Sequence, residues 1–129
     1  MIKFYAMSFQ SLLAYKKGFA LAMRIFEISK DFPKEEKYAL TDQIRRSSRS
    51  VCVNIAEGYR KRHYPKHFFN KLTDSDGENS ETLVWLEFAW SCQYISTELY
   101  ESLVAENDEV GKLIGYMIAN PGKFGVKEE

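Results

Sequence analysis

The sequence predicts an all-α fold, an antiparallel up-down four-helix bundle. Apolar residues recur at spacings of three and four through four long segments, as on the buried faces of helices. Glycine (7) and proline (3) are scarce, which argues against an all-β or low-complexity chain. The connections between segments are short, so consecutive helices should pack side by side. We expect a single domain over residues 1–129, with an ordered core from about residue 10 to residue 120.

The first two predicted helices flank a proline. Helix 1 covers residues 10–29, and Asp31-Phe32-Pro33 ends it because proline disfavours helix at the residue before it. Helix 2 covers residues 34–63, with Glu35 and Glu36 in a first turn that favours negative charge. The predicted buried stripe of helix 1 is Leu12, Tyr15, Phe19, Ala22 or Met23, and Phe26. The predicted stripe of helix 2 is Leu40, Ile44, Ser47/Ser48, Val51, Ile55 and Gly58/Tyr59.

The last two predicted helices follow Pro65. Helix 3 covers residues 66–94 and contains Gly77, which costs about 1 kcal/mol relative to alanine and so predicts a close approach by another helix. Helix 4 covers residues 97–119 and ends at the stop residues Asn120-Pro121-Gly122. The predicted stripe of helix 3 is Phe69, Leu72, Ser75/Asp76, Asn79, Leu83, Leu86 and Trp90. The predicted stripe of helix 4 is Leu99, Leu103, Glu106/Asn107, Val110, Leu113/Ile114 and Met117.

The segment from Asp42 to Gly58 mixes small and charged residues with the apolar stripe of helix 2. Its serines and Gly58 predict close helix packing. Asn54 and Glu57 lie three apart and share a helix face. We expect a structural polar network in a helix seam or subunit interface, because an unpaired buried charge costs several kcal/mol; the alternative is a recognition site. The predicted network comprises Arg45, Arg46, Arg49, Asn54 and Glu57.

Several motifs carry a resemblance to a known family. They are Phe32-Pro33-Lys34-Glu35-Glu36, the stretch QIRRSSRSV at residues 43–51, Asn54-Ile55-Ala56-Glu57-Gly58, Ser80-Glu81-Thr82 and Trp85-Leu86-Glu87-Phe88-Ala89. With these motifs the chain resembles a bacterial four-helix-bundle family, the 23S rRNA-intervening sequence proteins, over nearly its whole length. Relatives of that family, the accessory proteins of diversity-generating retroelements, form a pentameric barrel and bind nucleic acid through a basic surface. The resemblance implies a ring-shaped homopentamer and implies no catalytic residue.

Charge is balanced in total but segregated along the chain. Lys+Arg and Asp+Glu are both 18, so no overall electrostatic attraction draws the chain to nucleic acid or anionic lipid. Residues 34–71 hold ten Lys/Arg against four Asp/Glu, whereas residues 72–111 hold ten Asp/Glu and no Lys/Arg. Basic helix 2 can therefore pair with acidic helices 3 and 4, within a subunit or between subunits. The alternative is a phosphate-binding patch at the turn after helix 2, made of Arg60, Lys61, Arg62, Lys66 and Lys71, with His63 and His67 beside it.

The other candidate metal-binding and catalytic motifs do not have the residue spacing that such sites require. A calcium loop with Gly77 at its sixth position would place Leu72 and Leu83 where oxygen ligands are required. His63 and His67 are four apart, but Pro65 breaks the helix between them and no third ligand is near in sequence. No nucleophile motif, CxxC pair or phosphate-binding glycine loop occurs. We therefore predict no catalytic residue, no metal and no cofactor.

The aromatic residues point to a partner. Trp85, Phe88 and Trp90 cannot all face one core, so another subunit should bury some of this surface. Cysteines within apolar segments, with no recognisable secretory signal or membrane span, predict a cytoplasmic location and no membrane partner. The predicted function is a non-enzymatic oligomeric scaffold or adaptor that binds itself. The alternative is a nucleic-acid accessory protein that contacts RNA or DNA through a basic rim on the pentamer.

Overall fold

Four α-helices make up most of the computed structural model, which describes residues 8–127. The helices are α1 (Leu13–Ser29), α2 (Leu40–Arg60), α3 (Pro65–Ser91) and α4 (Thr97–Ala119). Short 3-10 turns lie at Phe9–Ser11, Lys34–Glu36 and Pro121–Phe124, and no strand occurs within residues 8–127. Each helix packs against the next and α4 returns to α1, which closes a four-helix bundle. The predicted all-α, four-helix fold is confirmed.

The helix bounds agree with the sequence prediction at α4 and differ elsewhere. α4 spans the predicted residues 97–119. α1 begins at Leu13 rather than at residue 10, because residues 9–11 form a tighter turn. α2 begins at Leu40 rather than at residue 34, and it ends at Arg60 rather than at residue 63. α3 ends at Ser91 rather than at residue 94, because Gln93 has a φ of 64°, which a right-handed helix does not allow.

The residues predicted to begin the second helix form a separate turn that caps it. Glu36 Oε1 accepts a hydrogen bond from the Leu40 backbone N–H at 3.3 Å, which satisfies a donor at the start of α2. Glu36 Oε2 accepts a second bond from the Tyr94 hydroxyl at 2.8 Å, and this bond raises the pKa of Tyr94 to about 12. The prediction that Glu35 and Glu36 lie in the first helical turn is therefore wrong. Glu36 instead ties the α1–α2 connection to the α3–α4 connection at one end of the bundle.

The buried stripes of α2 and α4 follow the prediction. The stripe of α3 follows it at four of seven positions, Leu72, Ser75, Asn79 and Leu86, whereas that of α1 is rotated. Phe19 of α1 is predicted as a core residue but is 51% exposed, and of the alternatives Ala22 and Met23 the structure buries Ala22. Phe69 and Trp90, at the two ends of the predicted α3 stripe, are 51% and 40% exposed. α1 instead buries Ala14, Gly18, Leu21, Ala22, Ile25 and Ser29. α3 buries Phe68, Leu72, Ser75, Asn79, Thr82, Leu86 and Ala89. Faces with small residues turn inward because they let neighbouring helices approach closely, which leaves bulky side chains outside.

The two glycines singled out in the sequence have opposite surroundings. A Cβ atom on Gly58 would lie 2.7 Å from Leu72 Cδ2 and 3.2 Å from Lys71 Cβ. Close packing at Gly58 is thus confirmed, between α2 and α3. Gly77 is exposed, and no atom in the described part of the chain lies within 4 Å of a Cβ built there. The predicted close approach at Gly77 is therefore wrong within one copy of the chain.

Buried polar side chains bond one helix to another. The hydroxyls of Ser47 and Thr82 lie 2.8 Å apart between α2 and α3. Ser75 Oγ donates to the Val51 carbonyl at 2.8 Å, along the same seam. The remaining pair joins α3 to α4: Asn79 Nδ2 donates to the Asn107 carbonyl and Asn107 Nδ2 donates to the Asn79 carbonyl, each at 3.0 Å. Among the described residues, no fully buried side-chain nitrogen or oxygen lacks a partner.

Packing continues past the expected end of the ordered core at about residue 120. Val126 is buried, and the Phe124 carbonyl accepts a hydrogen bond from Arg62 Nη1 at 3.5 Å. The segment after α4 therefore folds back onto the turn between α2 and α3. Residues 1–7 and 128–129 lie outside the described residues.

We predict that Gly58→Leu destabilises the fold by at least about 1–3 kcal/mol, because the new side chain has to displace Leu72 and Lys71. Urea unfolding followed by circular dichroism measures the change. Gly115→Ala is the matched control, since no atom of residues 8–127 beyond the local backbone of α4 lies within 4 Å of its Cβ position. That control should gain about 0.5–1 kcal/mol from helix propensity. A Gly58→Leu protein that unfolds at the wild-type urea concentration would contradict the tight α2–α3 contact.

Candidate functional site

An apolar groove runs along the outside of α1 and α2. It has a volume of about 430 Å³. Its apolar lining consists of Phe9, Tyr15, Phe19, Met23, Val53 and Ala56, with Ala22 and Cys52 deeper in the seam. Arg49 and Glu57 are the charged residues that line it among the residues described. A surface concavity of this composition suits an apolar partner better than a polar substrate.

The groove forms because α1 contacts α2 through small residues. A Cβ on Gly18 would lie 3.4 Å from Cys52 Sγ and 3.6 Å from Val51 Cγ1, so the two backbones are close at this point. The larger side chains of α1 then fall beside the contact. Tyr15 and Phe19 line up along α1 with ring centroids 5.9 Å apart, and Phe9 packs edge-on against Tyr15 at 5.0 Å. The result is a row of aromatic rings along one wall of the groove.

Cys52 lies in the groove wall but does not bring thiolate chemistry to it. The residue is only 6% exposed, and this burial raises the pKa of its thiol to about 11. A thiol with that pKa remains protonated near neutral pH and is a poor nucleophile. Cys52 therefore acts as a small packing residue. Cys92 is exposed at the end of α3.

Two arginines of α2, Arg45 and Arg49, contact the end of α1. Arg45 Nε donates to Ser29 Oγ at 2.8 Å and Arg45 Nη2 donates to the Phe26 carbonyl at 3.4 Å. The guanidinium carbons of Arg45 and Arg49 lie 4.7 Å and 5.5 Å from the centroid of the Phe26 ring. These contacts are cation–π and hydrogen-bond contacts with the end of α1. No carboxylate within residues 8–127 forms an ion pair with either arginine.

Arg46, the third arginine of the predicted polar network, joins α2 to α3. Arg46 Nη1 lies 3.2 Å from Glu78 Oε2, and Arg46 Nη2 bonds Glu81. Glu81 also accepts a hydrogen bond from Trp85 Nε1 at 3.0 Å. The indole bond and the neighbouring Arg46 together hold the pKa of Glu81 below its ordinary value. The predicted pairing of basic helix 2 with acidic helix 3 therefore occurs within one subunit, at this position.

The five residues predicted as one polar network are divided among separate contacts. Asn54 Nδ2 donates to the Ser50 carbonyl of its own helix at 3.0 Å. Glu57 Oε1 lies 3.0 Å from Lys71 Nζ of α3. Asn54 is eight residues from Arg46, about 12 Å along the helix axis, which is too far for a direct bond. The single network that we predicted is thus not formed within the described residues, although each member has its own partner.

The turn between α2 and α3, here called the basic turn, was predicted to offer five cations to phosphate. Two of the five form contacts within the chain. The Arg62 guanidinium carbon lies 3.8 Å from the centroid of the Tyr59 ring, and Arg62 Nε donates to the Tyr59 carbonyl at 2.8 Å. Lys71 is paired with Glu57. The three remaining cations are exposed, and no ion pair forms with them in the described part of the chain; they are Arg60, Lys61 and Lys66.

His63 and His67 are exposed, and no group of three possible metal ligands occurs among the residues that the structure describes. None of the described helices is long and apolar enough to cross a membrane. Trp85 packs partly against the core, whereas Phe88 and Trp90 are 52% and 40% exposed. The prediction that these aromatic residues do not share one core is confirmed.

The family model described as 23S rRNA-intervening sequence protein matches residues 10–116, which is most of the chain. The chain belongs to this family. A solved structure from Bacteroides thetaiotaomicron, a protein with unknown function from the S23 ribosomal protein family, is 32% identical to it with a TM-score of 0.75. The alignment covers 83% of this chain and 96% of that protein. A comparison with curated proteins finds no match. The family resemblance drawn from the motifs is thereby confirmed.

In this 23S rRNA-intervening sequence protein, the apolar groove is the feature that the sequence pattern did not predict. The three-and-four spacing assigns Phe19 to the core, with Met23 as an alternative to Ala22, and it assigns no role to Val53. A signal was present, because Val53 is apolar and lies off the buried stripe of α2. A helix that is apolar on more than one side needs more than one neighbour.

We predict that protonation of Glu81 destabilises this 23S rRNA-intervening sequence protein at acid pH. The pKa of Glu81 is lowered from 4.5 in the folded state, so its contribution to stability is present above pH 4.5 and is lost as pH falls through the lowered value. Urea unfolding at pH 7 and at about pH 3 should therefore show a smaller pH-dependent loss for Glu81→Gln than for the wild type. Glu101→Gln, at an exposed position of α4, is the control. Equal losses in the wild type and Glu81→Gln would contradict the prediction.

Proposed function

We propose that this member of the 23S rRNA-intervening sequence protein family is a non-enzymatic, cytoplasmic scaffold or adaptor that works as a ring-shaped homopentamer. The observation that carries the proposal is the large apolar surface that one copy leaves uncovered. The apolar groove displays Phe19, Met23 and Val53, each about half exposed. α3 displays a second surface with Val84 and Phe88, which are 46% and 52% exposed.

These surfaces support assembly because each is a cluster of apolar side chains that lies outside a core that is already filled. The core of one copy is filled by fully buried side chains such as Ile55, Leu72 and Leu103, each 0% exposed. Scattered apolar residues on a protein surface are ordinary, but clusters of aromatic and apolar side chains mark interaction sites. Complete burial of a fully exposed side chain of this kind is worth about 1.5–3 kcal/mol, so covering the half that is still exposed contributes about half of that. The number five rests on the family resemblance.

The buried polar groups support a scaffold rather than an enzyme. Ser47, Thr82 and Ser75 bond across the α2–α3 seam and are fully buried. Asn79 and Asn107 bond each other between α3 and α4. A catalytic site needs polar groups that converge on a space where a substrate can bind. Here the polar side chains are used in helix-to-helix contacts, and the groove is lined mainly by carbon.

The nucleic-acid alternative has less support from the contacts of the basic turn. Arg62 and Lys71 are engaged within the chain, so Arg60, Lys61 and Lys66 are the cations left for phosphate. The chain has equal numbers of basic and acidic residues, 18 of each. Binding to a phosphate backbone depends on many cationic contacts and on their density. A ring could repeat the three cations, but each copy would also bring the acidic surfaces of α3 and α4.

Light scattering of the purified protein tests the assembly. Five copies of a 15.0 kDa chain give about 75 kDa, and we expect that mass across a dilution series. The expected reason is burial of the groove and of the α3 surface between copies. A mass of 15.0 kDa at every concentration would contradict the scaffold proposal.

A salt titration with structured RNA and duplex DNA tests the preference for a scaffold over a nucleic-acid-binding role. We expect weak binding at low salt that is the same in the wild type and in the triple variant Arg60→Gln, Lys61→Gln, Lys66→Gln. The control is a triple variant at Lys16, Lys34 and Lys112, which lie outside the turn. Tight binding that weakens steeply with salt and is lost only in the turn variant would favour the nucleic-acid role instead.

A further inference from the structure

We propose that the outer face of α3 in one copy of the chain binds in the apolar groove of the next copy. The outer face of α3 is defined by Gly77, Ser80, Val84 and Phe88. The inference rests on the proposed homo-oligomer and goes further, because it names the two surfaces that meet and makes the contact a head-to-tail one.

The outer face of α3 has the shape of a surface that enters a groove. Its four residues recur at spacings of three and four, on the side of the helix opposite the buried residues. Gly77 and Ser80 are small, so the α3 backbone can come close to another helix there. Val84 and Phe88 supply apolar side chains that are about half exposed. All four residues are uncharged, although acidic residues surround them on α3.

The packing within one copy of the chain does not explain why residue 77 is a glycine. Gly77 lies in the middle of a 27-residue helix, where glycine weakens the helix. No atom within residues 8–127 comes within 4 Å of the position of its missing Cβ. A helix wall of a neighbouring copy over Gly77 would use the space that the absent side chain leaves.

Charge complementarity selects a second copy as the occupant of the groove. Arg49 lines the groove and forms no ion pair within the described residues. Asp76 and Glu87, which flank the outer face of α3, are exposed and form no ion pair there either. Docking α3 into the groove would therefore bring unpaired carboxylates towards an unpaired guanidinium, around an apolar centre.

The positions of the two surfaces make the contact head-to-tail. α1 packs against α2 and α4, and α3 also packs against α2 and α4, so α1 and α3 lie across the bundle from each other. The groove on α1 and α2 and the outer face of α3 are thus different parts of the surface. A copy that binds one neighbour through its groove still offers its α3 to another. Contacts of this kind extend from copy to copy and produce a ring when the rotation closes.

Two variants that each lose one surface test the docking. The groove variant carries Phe19→Glu and Met23→Glu, and the α3 variant carries Val84→Glu and Phe88→Glu. The four wild-type side chains are each about half exposed, so the bundle should fold, as circular dichroism would verify. Each variant alone should be a monomer of about 15.0 kDa by light scattering. Tyr116→Glu, at a 46% exposed position of α4 outside both surfaces, is the control and should keep the wild-type mass.

Mixing the two variants distinguishes the docking from other arrangements. The groove variant retains its α3 surface and the α3 variant retains its groove, so one intact contact can form. We expect a 1:1 complex of twice the 15.0 kDa chain mass, about 30 kDa, and nothing larger. A mixture that stays monomeric overturns the docking. A variant that keeps the wild-type mass on its own also overturns it, because assembly then does not need the surface that this variant has lost. In those cases an oligomeric wild type leaves the scaffold proposal standing, whereas a monomeric wild type removes both.

Discussion

The close contact between α2 and α3 is the constraint on which the rest of the molecule depends. Gly58 leaves room for Leu72 at one end of the contact, where a Cβ would lie 2.7 Å from the leucine side chain. Ser47 and Thr82 bond each other further along, with hydroxyl oxygens 2.8 Å apart. Small and polar residues at the seam bring the helices together at a distance that larger side chains would prevent. Because small and polar residues occupy this seam, bulkier residues of α3 such as Phe69 and Phe88 face outwards.

The same physical principle governs the other contacts of the bundle. α1 meets α2 through Gly18, and α4 meets α3 beside Gly111, where a Cβ would lie 3.2 Å from Asn79 Nδ2. The Asn79–Asn107 pair needs that proximity, because two side-chain amides can bond each other's backbone carbonyls only when the helices are close. Such a pair also has one correct register, since a shift along either helix would leave buried amides without partners. Packing distance and register are therefore set together.

A core built in this way accounts for the surface as well. Because small residues fill the seams, a large share of the aromatic and aliphatic side chains has no place inside one copy. The groove beside Phe19 and the outer face of α3 are direct consequences. The charged side chains follow a related pattern. Arg46 forms ion pairs with Glu78 and Glu81 within the subunit, whereas Arg49 and Glu87 lie on the surface without an ion pair among the described residues. Arg49 lies beside the uncovered apolar side chains of the groove and Glu87 beside those of the outer face of α3, which is why we interpret the charges and the apolar side chains as parts of one interface.

The sequence by itself determined the four helices, the bounds of α4, the buried stripe of α2, the tight contact at Gly58 and the family. These follow from local rules: periodicity, proline and glycine positions, and motifs that are contiguous in the chain. Which face of α1 turns inward was decided only by the tertiary structure, as was the burial at the two ends of α3, where Phe68 and Ala89 are buried in place of Phe69 and Trp90. Phe19 and Leu21 are both apolar residues of α1 on stripes with three-and-four spacing, so periodicity alone does not choose between them, yet Leu21 is 3% exposed and Phe19 is 51% exposed. The choice depends on how near the neighbouring helices come, and that distance is set by side chains on those helices, which no local pattern in α1 can report.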